Sequence, residues 1–309
     1  MVEQDDEGTR TSAQAVALSA AQRITDALAR RLAPGLYVVA TPIGNLGDMT
    51  LRGLAVLAAA DVVYCEDTRH SRTLLATFGI GTRLRSYHDH NAEAERPRIL
   101  EALAGGARIA LISDAGTPLV SDPGYKLVRA AIEAGHLVHS VPGASALLAA
   151  LVASGLPSDR FLFAGFLPPR QAARRDAIAG LAGVDATLVL FEAPGRIAES
   201  LADLAHGLGA REAVVARELT KLYEENLRGT LETLSTEFAQ RDFKGEIVIV
   251  IAPPAPASSE VTDLDIAAAL GHALEGFTLR DAVRAVADKF GVPKKRVYDI
   301  GLAMKRDAP

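Results

Sequence analysis

The stretch 109–124, IALISDAGTPLVSDPG, constrains the fold more than any other part of the chain. It opens within a short apolar run, 108–113, of the kind that forms a strand buried on both faces of a parallel sheet. The run stops at a loop holding Asp114, Gly116, Pro118, Asp122, Pro123 and Gly124, and a helical pattern resumes at once. In open α/β sheets ligands bind beyond the carboxyl ends of the strands, where glycines let the backbone approach a ligand closely. A loop rich in turn formers also serves as a plain connection. Two further loops of similar density, 40–48 after the first expected strand and 141–146 after the fifth, favour a shared cleft.

The rest of the chain repeats strand, loop and helix. Strands are expected over 36–40, 62–66, 83–87, 108–113 and 137–141, with helices over 50–59, 71–78, 92–104, 125–134 and 144–153. Alternation with connections this short implies right-handed crossovers and a mainly parallel sheet, ending near Ser158. A second α/β unit, 159–252, has apolar runs at 161–165, 187–191, 213–217 and 245–252, helices at 171–181 and 196–206, and a later part (226–230, then a helix to about Ala239) that makes antiparallel pairing plausible. Its sheet should be mixed. A Pro-rich linker, 253–260, leads to a small helical module, 261–309, in which helices 278–290 and 294–305 flank Gly291-Val292-Pro293. Ala287, Gly291 and Val297 stand at the offsets of a helix-turn-helix. Before the first strand, residues 1–34 read as an acidic tail followed by a weakly packing helix over about 12–32.

Composition narrows the classes. No apolar run approaches the roughly 18 to 20 residues that span a bilayer, and Glu3, Asp5, Asp6 and Glu7 have the wrong sign for a secretory or transit leader, so a cytoplasmic protein is expected. The single Cys65 excludes an internal disulfide and a cysteine-cluster metal site. A net charge of −5 confines any nucleic-acid binding to a local patch. There is neither a Gly-x-Gly-x-x-Gly with a following acid nor a Gly-Lys-Ser/Thr, which argues against NAD and ATP.

Six motifs in order, TPIGNLGD, CEDTRHS, SDAGTPLVSDPG, PGASA, FEAPGR and ELTK, resemble the tetrapyrrole-methylase superfamily of S-adenosylmethionine (SAM) enzymes, and within it the branch acting on small-subunit ribosomal RNA. The match runs from about Gly35 to Ala252. It implies a two-domain tetrapyrrole-methylase-like fold, with SAM folded in the cleft between domains against Pro42, Ala115, Gly116, Thr117, Val120, Ser145 and Ala146, and against Glu192 and Leu219 from the second domain. Read alone, Glu192 is equally an ordinary strand-end carboxylate. The resemblance further implies 2′-O-methylation of a cytidine in the decoding region, a 30S-subunit partner and a homodimer.

For methyl transfer to a ribose hydroxyl, alignment and desolvation supply much of the acceleration, and a base or a cation assists by taking the proton or offsetting charge on oxygen. Asp67, His88, Lys221, Glu224 and Glu225 are the candidates. Asp67 also suits the cap of the helix that follows it, and Lys221 with its carboxylate neighbours also fits a solvated loop. Arg69 and Arg72 suit phosphate or plain solvent. His88 and His90 would point oppositely if the third strand persisted, which counts against a shared metal, and none is expected. From Phe277 onward eight Lys/Arg face four Asp, and Lys294-Lys295-Arg296 opens the last helix, where phosphates favour the positive end of the dipole. This is the expected RNA patch; a structural cap with a charged face is the alternative. Two rivals remain on the sequence: a carbon methylase of corrin or porphyrin precursors, and a SAM-sensing helix-turn-helix regulator.

Overall fold

A computed structural model describes residues 12–240, 243–255 and 262–306. The acidic opening segment and most of the Pro-rich stretch, from 256 to 261, lie outside the described residues. The chain divides between Pro253 and Pro254 into two compact units.

The first unit contains two five-stranded sheets. In the first, β1 (Gly35–Val39), β2 (Val62–Cys65), β3 (Leu84–Ser86), β4 (Arg108–Ile112) and β5 (Val138–Val141) lie in the order β3-β2-β4-β1-β5, all parallel. β4 and β1 sit inside the sheet and are almost wholly buried, as continuous apolar runs require. Helices α2 (Leu51–Ala59), α3 (Thr68–Thr77), α4 (Ala92–Ala104) and α5 (Tyr125–Glu133) return the chain between successive strands, and α6 (Ala146–Ser154) follows β5. Their starts follow from local chemistry. Thr50, Asp67 and Ser145 stand at the N-caps of α2, α3 and α6, each accepting a hydrogen bond from a backbone N–H of the first turn. The cap at Asp67 brings α3 in three residues ahead of the expected start. Helix α1 (Ala13–Ala29) has no buried residue, in keeping with weak packing.

The second sheet runs β6-β7-β10-β8-β9 and is mixed: β6 (Phe161–Phe166) is parallel to β7 (Thr187–Glu192), while β10 (Ile247–Ile251) is antiparallel to both β7 and β8 (Glu212–Arg217), and β9 (Glu225–Thr230) is antiparallel to β8. The central β10, Ile-Val-Ile-Val-Ile, is buried throughout. Helices α7 (Gln171–Leu181), α8 (Ile197–Leu208) and α9 (Leu231–Phe238) join one core with β7, β8 and β10. Across the opposite face lies α6, whose Ala150 and Leu151 share a second core with Val189, Ala216, Val248 and Val250. The expected division near Ser158 is therefore a crossing between sheets inside one compact unit, because the last helix of the first α/β stretch packs on the second sheet.

The second unit has three helices, α10 (Asp263–Leu274), α11 (Leu279–Phe290) and α12 (Lys294–Arg306), around a core of Ile266, Leu270, Ala282, Val283, Val286, Ala287 and Val297. Gly291 closes α11 in the left-handed region (φ 63°), and Ala287 and Val297 are buried on either side of that turn.

Candidate active site

Because β1 lies between β4 and β5, the loops that follow these three strands are neighbours at one edge, and hydrogen bonds lace them together. Thr41 and Gly116 form an isolated bridge, N–H to carbonyl in both directions at 2.9 and 3.1 Å. The Thr117 hydroxyl donates to the Ala144 carbonyl at 3.1 Å, and the Ser113 hydroxyl to the Gly116 carbonyl at 3.1 Å. The loop after β2 joins through the Asp67 N–H, which donates to Asp114 Oδ1 at 3.2 Å.

Opposite them, the second sheet presents the end of β7 and the start of β10 side by side, since Ile247 pairs with Glu192 across the antiparallel ladder. Between the two sets lies a cavity of about 380 Å³, lined by Ala115, Gly116, Thr117, Val120, Ser145, Ala146 and Glu192, together with Ile43, Ser121, Asp122, Phe166, Phe191, Ala193, Pro194 and 245–248. An adjoining recess of about 340 Å³ shares Ile43, Ala115 and Glu246 with it and adds Pro42, Gly44, His70, Thr73, Asp114 and Lys221.

Seven of the nine residues expected to meet SAM thus face one cavity. Pro42 lines the adjoining recess, and Leu219 is buried in the apolar cluster with Ile43, Ala216 and Val248. Glu192 reaches the cavity wall, but its carboxylate is saturated: Oε1 accepts from its neighbour's N–H (Ala193, 2.7 Å) and pairs with Arg196 (2.6 Å), while Oε2 accepts from Ser200 (2.5 Å).

The cavity combines apolar with acidic walls. Its volume is in the range of small-molecule sites, roughly 300 to 1,000 Å³. Ile43, Val120, Phe166, Phe191 and Val248 give it apolar walls, and Asp122 and Glu246 give it negative ones. At Gly116, φ is +82° and an added Cβ would stand 3.1 Å from Ile43, so the backbone itself forms the wall where a side chain would intrude.

Strain concentrates here as well. The non-glycine residues with left-handed backbone among those described are Leu119, Ser121, Glu218 and Thr220, all in the loops after β4 and β8. Such conformations cost on the order of 1 kcal/mol or more each and persist where surrounding contacts hold them. In the second loop Glu218 Oε1 accepts from Lys221 Nζ (2.9 Å) and from the Glu246 N–H (3.1 Å), and Glu224 accepts from the Thr220 N–H (2.7 Å).

The catalytic candidates separate accordingly. Lys221 lines the recess, where burial opposes its charge but the carboxylates of Glu218 and Glu246 (3.2 Å) outweigh that and hold the amine above its ordinary pKa; it is a cation, not a base. Glu224 braces its own turn, and Glu225 pairs with Arg217 at 3.1 Å. Asp67 caps α3 and chelates Arg69 through Nε and Nη2 (3.1 and 2.7 Å), which depresses its carboxyl strongly. Arg69 is thereby engaged although exposed, and Arg72 lies beside a different depression, with Ile80 and Arg83. His88 lines neither cavity nor recess. Strand β3 stops at Ser86, so the alternation anticipated for His88 and His90 does not apply: their rings meet edge to face at 5.9 Å. Among the described residues no group of three or more His, Cys, Asp or Glu is arranged to hold a metal. Nor is any described helix long and apolar enough to cross a membrane.

One cavity residue was read in the sequence only as a turn former. Asp122 has its carboxyl pushed up to about 6, first by burial and then by the charges of Glu66 and Asp114. Its signal was present: a carboxylate in a Gly/Pro loop at the ligand-binding edge. In the second unit, Arg296 pairs with Asp263 at the start of α10 (2.8 Å), whereas Lys294 and Lys295 are exposed.

Residues 35–235 match the family model for tetrapyrrole (corrin/porphyrin) methylases, and 260–305 match that of the RsmI C-terminal HTH domain. Similar proteins include ribosomal RNA small subunit methyltransferase I of Mesorhizobium japonicum, 55% identical over 78% of this chain and 83% of that protein, and that of Micromonospora olivasterospora, 46% identical over 89% and 88%. Among solved structures, uroporphyrin-III C-methyl transferase from Thermus thermophilus complexed with S-adenyl homocysteine shares the fold at a TM-score of 0.50, with 21% identity over 71% of this chain and 97% of that one. By family model and by identity, the chain belongs to the tetrapyrrole (corrin/porphyrin) methylases and, within them, to the ribosomal RNA small subunit methyltransferase I group.

Proposed function

We propose that this chain is a cytoplasmic enzyme that transfers a methyl group from SAM to the 2′-hydroxyl of a cytidine in the decoding region of small-subunit ribosomal RNA. The observation that carries the reading is the pair of adjoining hollows. One, lined by the glycine-bearing loop after β4 and by α6, suits the donor, and the other, bordered by Lys221 and His70, opens beside it for the acceptor. The relatives' names indicate the RNA, a fold neighbour's bound S-adenyl homocysteine indicates the donor, and the family resemblance indicates the cytidine 2′-hydroxyl, the 30S particle and a homodimer.

When bound, SAM supplies an electrophilic methyl group on a sulfonium. The protein holds the reacting atoms in line and keeps water away, which for a reaction with a good leaving group is a large part of the task. Phe166, Phe191 and Val248 exclude solvent from the donor side, and backbone groups at 115–117 meet it without side-chain hindrance. The Lys221 ammonium, fixed by two carboxylates, stands on the acceptor side, where a cation offsets negative charge on the ribose oxygen. In the helical module, Lys294 and Lys295 at the positive end of α12 contact RNA phosphates.

The reading is tested by mapping ribose methylation on ribosomal RNA from cells that lack this chain. Loss of one 2′-O-methyl cytidine in the decoding region, restored by the gene, is the expected outcome. An unchanged map would refute it, and a missing methyl on a corrin or porphyrin precursor would favour the carbon methylase instead.

A further inference from the structure

Resting on that reading, we propose that Asp122 is the residue that takes the proton of the ribose 2′-hydroxyl. The acceptor is a neutral alcohol, so the proton must leave as the new bond forms, and few carboxylates around the two hollows are without a cation or a backbone N–H to hold. Glu192 is saturated by Arg196, Ser200 and an amide, Glu218 and Glu246 hold Lys221, Glu224 accepts from Thr220, Asp114 accepts from the Asp67 N–H, and Asp67 holds Arg69. Lys221 already carries its proton. Asp122 lines the donor cavity, its electrostatic neighbour Asp114 lines the adjoining acceptor recess, and among the described residues no salt bridge joins Asp122 to a lysine or arginine.

The loop around Asp122 is built to hold it there. Leu119 (φ 72°) and Ser121 (φ 63°) are left-handed, and at Gly124 (φ 132°) an added Cβ would stand 2.9 Å from Leu111 and 3.3 Å from Leu119. The groups around its carboxyl are Glu66 just after β2, Asp114 just after β4 and Ser113, whose hydroxyl proton goes to the Gly116 carbonyl, so two like charges face it. That setting makes it a stronger base than an ordinary aspartate while leaving it ionised at neutral pH, as a general base requires.

The step balances. As the ribose oxygen bonds to the methyl carbon, the carbon–sulfur bond breaks and its electron pair stays on sulfur as a neutral thioether. The hydroxyl proton passes to the Asp122 carboxylate, leaving a carboxylic acid. A sulfonium and a carboxylate, one positive and one negative, both become neutral, which a partly desolvated cavity favours.

The test compares the full-length wild type with Asp122→Asn and Asp122→Glu, using SAM and small ribosomal subunits that lack the modification. Three quantities are read: turnover from pH 5 to 8, SAM affinity by calorimetry, and thermal stability against pH. Asp122→Asn is expected to lower kcat, at saturating SAM, about 100-fold or more and to abolish the wild-type fall in rate below about pH 6. Asp122→Glu should recover part of the rate.

Stability supplies a readout independent of turnover. An aspartate whose folded pKa lies above its unfolded value loses stability as pH rises from about 4 to 6, so the Asn variant should melt above the wild type at pH 7 and no longer do so below pH 4. A kcat within fivefold of wild type, or an acid limb that survives in Asp122→Asn, would overturn the assignment while SAM binding by the wild type still upheld the functional reading. If the wild type itself bound no SAM, that reading would fall and this proposal with it.

Discussion

Two buried or half-buried aspartates, one on helix α8 and one in the cavity wall, show how differently this fold treats charge. Asp203 on α8 is 3% exposed and meets Arg174, itself 1% exposed, at 2.7 Å and Arg175 at 2.8 Å; burial alone would raise its carboxyl, but the two guanidiniums overcome that and hold it below the ordinary value. Asp122, in the cavity wall, has carboxylates for neighbours and is pushed the other way. A closed ion pair fixes helices α7 and α8 to each other, whereas an open carboxylate in a cavity is costly to the fold and is the kind of group that chemistry employs. The first contributes to stability and the second is kept in spite of it.

That contrast breaks most readily at the closed pair. Asp203→Ala leaves Arg174 buried with only Glu199, at 3.3 Å, for a carboxylate partner, and denaturant unfolding should show a loss of about 3 kcal/mol, opposite in sign to Asp122→Asn at pH 7. The opposite treatment of these two residues by the fold would be refuted if both substitutions destabilised.

Next in size is Gly116→Arg. An arginine at φ +82° starts inside the cavity, and calorimetry should find SAM affinity down about 100-fold or more while the far-ultraviolet spectrum and the melting transition persist. Unchanged affinity would show that the cavity is not where the donor sits.

The helical module extends the same distinction to its own basic residues. Removing 258–309 should weaken RNA binding at least about tenfold and leave SAM binding alone; equal loss of both would make the module a structural cap. Within it, Lys294→Ala with Lys295→Ala should flatten the salt dependence of RNA affinity by about 0.7 per lysine, because exposed lysines release counterions from phosphates. Arg296→Ala, which opens the pair with Asp263, should instead lower the module's melting temperature with little change in that slope. It is the smallest of these effects, since ion pairs at the surface contribute roughly 1 kcal/mol or less.

Much of this is legible in the sequence. Apolar runs such as Ile247–Ile251 and Ile109–Ile112 read as buried strands because nothing else accommodates them, and Thr278, Gly291 and Pro293 bracket their helices through capping and φ restrictions that act locally. The glycine-bearing loops stood out for the same local reasons, and seven of the nine residues expected at the donor line one cavity. What escaped was non-local. Glu224 looked catalytic until its carboxylate was found on the Thr220 N–H, and Asp122 looked like a turn former until Glu66, from another strand, was found beside it. Helix α10 was legible only as part of a helical module, without its bounds.

The order of residues alone determined which segments are strands, where their loops are rich in glycine and proline, and that the chain ends in a basic helical module, since patterning, caps and backbone restrictions operate over a few positions. Only the tertiary structure decided that β1 inserts between β4 and β5 and that β10 runs back beside β7. Those two placements bring residues near 42, 116, 122, 145, 192 and 246 around neighbouring hollows. Strand order and the ionisation of Asp122 both depend on contacts between residues far apart in the chain, and such contacts leave no local trace in a single sequence.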